Sequence, residues 1–81
     1  MTIREEVTEA VFENVSKCFG KSIDELTPET RLGEDLNAKS VNFIQVASFL
    51  EEQFGLTIGY MDLRRQNTIE AIIEYLVKRV G

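Results

Sequence analysis

The apolar residues of this chain recur at intervals of three and four in three separate stretches and form no alternating segment of strand length, which makes the fold helical. The first stretch, Ile3, Val7, Ala10, Val11, Val15 and Cys18, draws one stripe along a helix near residues 2–18. Thr2 and Glu5 stand at the spacing of a capping box, and Gly20 is a plausible stop. The second stretch, residues 40–54, carries Val41, Phe43, Ile44, Val46, Ala47, Phe49, Leu50 and Phe54, leaving only Asn42, Gln45, Ser48 and Glu52 as a polar stripe. A helix this apolar either sits at the centre of a bundle or keeps spare apolar surface for something that binds. The third starts from a cap at Thr68 and runs through Ile69, Ile72, Ile73, Leu76, Val77 and Val80, with Glu74 and Lys78 placed as a favourable pair four residues apart.

Residues 19–39 hold Gly20, Ser22, Thr27, Pro28, Thr30, Gly33 and Asn37 with no apolar period, which predicts a long loop with one turn at Ser22 to Glu25. Leu26, Leu32 and Leu36 are placed to pin that loop to the core, so it is expected to be ordered. After Gly55, Leu56-Thr57-Ile58 reads as a short extended stretch, and Tyr60 to Arg65 supports one or two helical turns. The expected fold is all-α: a small four-helix bundle of three main helices and one short one, with a long ordered loop between the first two, and residues 1–81 as a single domain.

Composition removes several function classes. With 81 residues the chain buries only about 60% of its unfolded surface. The lone Cys18 closes no internal disulfide and is expected as a buried, free core thiol. Without histidine there is no imidazole base and no Cys/His zinc site. Fourteen acids against nine bases give a net charge of −5, which repels phosphate backbones and makes nucleic acid a poor partner. No apolar run approaches the roughly 20 residues of a membrane span, and residues 1–6 form no signal-peptide core, so a cytoplasmic monomer is expected. Asp24, Glu25, Glu29, Glu34 and Asp35 read as a solvated acidic face, having neither metal-ligand spacing nor a glycine-rich phosphate loop beside them. No catalytic residue, no metal site and no enzymatic activity are expected.

Ser40 is the residue where chemistry can sit. It lies at the first position of the most apolar helix, after Gly33-Glu34-Asp35-Leu36-Asn37-Ala38-Lys39. Its hydroxyl can satisfy an orphan N–H of the first turn as a cap. It can equally serve as an attachment point, because a phosphate ester there meets unpaired N–H groups and the positive end of the helix dipole.

Asp35-Leu36-Asn37-Ala38-Lys39-Ser40-Val41, followed by Ile44, Leu50-Glu51-Glu52-Gln53-Phe54-Gly55 and Ile58, resembles the acyl carrier protein pattern of Asp-Leu-Gly-Ala-Asp-Ser-Leu leading into a Leu-Glu-Glu-Glu-Phe helix end. Thr30-Arg31-Leu32 in the first loop, the short third helix and Thr68-Ile69 fall in the same order, so the resemblance covers essentially the whole chain. It implies that Ser40 receives 4′-phosphopantetheine from CoA through a phosphopantetheinyl transferase needing Mg²⁺. The protein then carries acyl groups as thioesters on the arm's thiol and delivers them to synthases, ligases or transferases of fatty acid, lipid or secondary-metabolite synthesis. A carrier needs one reachable hydroxyl, a rigid helix to present it and no nucleophile of its own to hydrolyse the cargo.

The chain departs from the family on the face expected to dock partners. The residue before the modified serine is usually Asp, and acids recur in the following turns; here those positions are Lys39, Asn42 and Gln45, with Arg64 and Arg65 on the short helix. Residues 1–39 carry nine acids and five bases, residues 40–67 three and two, and residues 68–81 two and two. Missing or reversed charge selects partners, so a specialised carrier with its own enzymes is expected. Val41 and Ser48 are further partner-binding candidates, with core packing the alternative for Val41. Bulky Phe43, Phe49 and Ile72 suggest a filled core and short or poorly buried cargo. Peptidyl, D-alanyl or polyketide-type carriers share these features. A degenerate carrier, acting as an unmodified interaction subunit through its apolar second helix, is the competing class, with Lys39 as its one indication.

Overall fold

In the computed structural model, residues 2–80 are described and form five helices and one 3₁₀ turn around one apolar cluster. Helix α1 spans Ile3–Phe19, one residue later at each end than the apolar stripe predicted. Thr2 Oγ1 accepts from the Glu5 N–H at 3.1 Å and Glu5 Oε1 accepts from the Thr2 N–H at 3.1 Å, which occupies two orphan donors of the first turn. Gly20 closes the helix in the left-handed region at φ 64°, its N–H donating to the Ser16 carbonyl.

The expected loop is ordered, but it is not without structure. Ile23–Glu25 forms the 3₁₀ turn and Leu32–Asp35 a one-turn helix, α2. No apolar period announces α2, because local polar bonds build it. The Arg31 N–H donates to Asp35 Oδ2 at 2.9 Å, and the Arg31 guanidinium reaches Glu34 at 2.7 Å and Asp35 at 3.3 Å. Leu26 and Leu32 are buried and Leu36 is half-buried, so the pinning expected of these residues holds. The loop backbone also pairs with the start of the last helix. Ile69 N–H donates to Thr30 O at 3.1 Å and Glu70 N–H to Pro28 O at 2.9 Å, and Arg31 and Thr68 form an isolated antiparallel bridge.

Helix α3, Ser40–Phe54, buries Phe43, Val46, Ala47 and Leu50 and ends at Gly55. Ile58 follows, its N–H held by Glu51 Oε2 at 2.6 Å and its side chain in the core. Helix α4 is Tyr60–Gln66 and α5 is Ile69–Val80, capped as expected by Thr68 Oγ1, which accepts from the Ala71 N–H at 3.1 Å. Helix α1 packs on α3 and α5, and α4 bridges α3 to α5.

Three expectations need correction. Phe43 and Ile72 are in the core, but Phe49 is 47% exposed because it lies on the side of α3 turned away from α1. Cys18, near the C-terminal end of α1, is half-buried instead of buried, and that partial burial pushes its thiol pKa up. Glu74 pairs with Arg4 of α1 at 2.5 Å, and Lys78 makes only a lesser electrostatic contribution to it. Among the described residues no helix is long and apolar enough to cross a membrane.

Candidate functional site

Ser40 is the first residue of α3, preceded by Lys39 at the cap position. The cap reading of its hydroxyl fails. Lys39, not Ser40, is at the cap position, Asn42 Oδ1 accepts the Lys39 N–H at 2.9 Å, and the Ser40 hydroxyl accepts no backbone N–H of the first turn. The Ser40 side chain is exposed, with its Oγ 3.4 Å from the hydroxyl of Tyr60 on α4. That phenol in turn accepts from Arg64 at 3.1 Å. The Ser40 contact, and then the Arg64 contact and charge, hold the Tyr60 hydroxyl below its ordinary pKa.

The neighbourhood suits an anionic ester on Ser40. The first turn of α3 contains no acidic residue, its dipole end is positive, and Arg64 and Lys39 supply cationic side chains nearby in space and in sequence.

The other residues expected at the site divide into groups. Val41 is 57% exposed, which removes the core-packing alternative, and Gln45 and Ser48 are also exposed. All three share the solvent side of α3 with Ile44, which is 50% exposed, and with Phe49. Asn42 is half-buried and committed to closing the helix start. Lys39 is exposed at the edge of the same surface. Arg64 is joined to Ser40 through Tyr60, whereas Arg65 turns to Asp62 at 3.3 Å. Met61, beside Tyr60, is 55% exposed, while Leu63 is fully buried and belongs to the core.

Tyr60 and Phe49 are the residues that the sequence left unassigned or misplaced. The four-residue spacing of Tyr60 and Arg64 was a readable signal that both lie on one face of a helix. For Phe49 the signal was the apolar excess of α3 itself, since a helix apolar nearly all round in a bundle this small must leave part of it outside.

A family profile described as "Phosphopantetheine attachment site" matches residues 9–76. An acyl carrier protein of Thermotoga maritima is 30% identical over 81 residues, covering 100% of both chains. One of Rubrobacter xylanophilus is 32% identical over 75 residues, 93% of each chain. Among solved structures, that of the acyl carrier protein from Enterococcus faecalis superposes with a TM-score of 0.77 at 33% identity, covering 96% of this chain and 98% of the other. The chain belongs to the acyl carrier protein family, whose members are carriers and not catalysts and hold 4′-phosphopantetheine covalently.

Proposed function

We propose that Ser40 is the attachment residue and that this protein carries acyl groups as thioesters on the thiol of the arm. The observation that carries this reading is an exposed hydroxyl at the first position of a well-packed helix, free of any capping duty, within the motif from Asp35 to Val41. In the attachment step the Ser40 hydroxyl gives up its proton on a Mg²⁺-dependent phosphopantetheinyl transferase. A bond forms from Oγ to the pantetheine-side phosphorus of CoA, and the anhydride bond to adenosine 3′,5′-bisphosphate breaks. Peptide mapping of the modified protein tests the assignment, with the added mass expected on the peptide that contains Ser40.

The partner surface is the exposed side of α3 with the adjoining end of α4, and Lys39, Val41, Asn42, Gln45, Ser48, Arg64 and Arg65 are its candidate contact residues. Apolar Val41 and Ile44 stand at its centre, and the absence of acids from the first turn of α3 gives it a charge unlike the family's usual one. Such a surface favours partner enzymes without the strongly basic docking patches that acidic carriers meet. The protein is thus read as a specialised carrier, a cytoplasmic monomer of one domain over residues 1–81. Phe43 of α3 and Ile72 of α5 are buried in the core, which supports short or poorly buried cargo. Replacing Lys39, Asn42 and Gln45 together with Asp, Asp and Glu tests the partner reading. The triple variant is expected to be loaded faster by fatty-acid synthesis enzymes that recognise acidic carriers, and an unchanged rate would contradict it.

A further inference from the structure

We propose that Tyr60 and Arg64 clamp the phosphodiester at the root of the arm, an inference that rests on Ser40 being the attachment residue. Their arrangement leaves donors free at the place where that group would be attached. An Arg64 N–H donates to the Tyr60 oxygen at 3.1 Å, so the phenolic proton is free to point the other way, toward Ser40 Oγ 3.4 Å from it. The guanidinium has five N–H donors and spends one on this contact. Both side chains therefore offer hydrogen bonds to the non-bridging oxygens of an ester on Ser40, and one of the two carries a full charge.

Among the described residues Arg64 and Arg79 are the two arginines without a carboxylate partner, but Arg79 is held by the Tyr75 hydroxyl and the Thr57 carbonyl, both at 2.7 Å, whereas Arg64 has only Tyr60. Arg4, Arg31 and Arg65 each pair with a carboxylate, at 2.5, 2.7 and 3.3 Å. Among the described residues no carboxylate lies within ion-pair distance of Arg64, so its charge remains uncompensated at an exposed corner of an otherwise acidic chain. A phosphodiester would supply the missing anion. Because Tyr60 and Arg64 belong to α4 and Ser40 to α3, the contact would also tie the two helices together and fix the base of the arm while its thiol end stays free.

Thermal melting of unmodified and modified protein tests this in the wild type and in the Tyr60→Phe, Arg64→Gln and Arg65→Gln variants, with intact mass confirming the state of every sample. Modification is expected to raise Tm by about 4 °C in the wild type. Arg65→Gln removes the same charge one residue away and is expected to keep that gain, whereas Tyr60→Phe and Arg64→Gln are expected to lose at least half of it. The wild-type gain is also expected to shrink between about 0.05 and 0.5 M salt. A correct added mass with equal gains in all four proteins, or with no gain in the wild type, overturns the clamp alone. Failure of the wild type to accept the arm overturns the Ser40 assignment and the clamp with it.

Discussion

The side-chain carbonyl of Asn67 accepts a hydrogen bond from the backbone N–H of Gly33 at 3.0 Å, joining positions 34 residues apart in the sequence. The Asn67 backbone carbonyl accepts from Leu32 at 2.8 Å, and its side-chain amide donates to Glu34 at 3.0 Å. Asn67 thereby fastens the one-turn helix α2 to the junction of α4 and α5. The residue itself sits at φ 65°, ψ −37°, with the Thr68 N–H donating to the Gln66 carbonyl at 2.8 Å across it, which is the geometry of a γ-turn.

Asn67→Ala removes the side-chain bonds and places a Cβ-bearing residue with no compensating polar group at positive φ. The expected loss is about 2 kcal/mol, since the half-buried Gly33 N–H is left without its acceptor. Asn67→Gly loses the same bonds but relieves the positive φ, and is expected to retain about 1 kcal/mol more. Urea denaturation of the two variants beside the wild type measures both differences.

The two phenylalanines of α3 are expected to behave in opposite ways. Phe43 is 2% exposed and Phe49 47% exposed. Phe43→Ala is expected to cost about 3–5 kcal/mol by opening a cavity in the apolar core. Phe49→Ala is expected to cost less than about 1 kcal/mol. Equal losses in denaturant titrations of the two variants would contradict the placement of Phe49 on the outer side of the helix.

Stability is expected to fall on the acid side through two exposed carboxylates. Hydrogen bonds from the Arg31 backbone and guanidinium hold Asp35 below its ordinary pKa, and the Arg4 guanidinium does the same to Glu74. A carboxylate depressed on folding contributes stability that is fully present above its unfolded pKa, about 3.9 for Asp and 4.3 for Glu. That contribution is lost as pH falls through the lower folded value. Melting temperature is therefore expected to drop below about pH 4. The slope should be shallower in Asp35→Asn and Glu74→Gln, and shallower still at high salt, which screens exposed pairs.

What the sequence makes legible here is the chemistry of neighbours along the chain. Thr2 with Glu5, Gly20, Gly55 and Thr68 mark helix ends because each cap is a bond between residues a few positions apart. The attachment motif is equally local. Helix α2 stayed hidden because Arg31 holds it through side-chain bonds and Asn67 holds it from more than thirty positions away, and neither leaves an apolar period. Ser40 looked like a cap because helix boundaries shift by one residue without changing the local sequence signal, and here the helix starts one residue earlier, with Lys39 at the cap. Phe49 was misplaced because a helix apolar nearly all round does not declare which side faces inward. The link from Ser40 through Tyr60 to Arg64 crosses from α3 to α4, so it became readable only once those helices were packed.

The central claim is that Ser40 receives the arm, and intact mass spectrometry after incubation with CoA, Mg²⁺ and a broad-specificity phosphopantetheinyl transferase tests it most directly. The account predicts a gain of one phosphopantetheine unit in the wild type and none in Ser40→Ala. No gain in a folded, helical wild-type sample across several transferases would contradict it, as would the same gain in the Ser40→Ala protein.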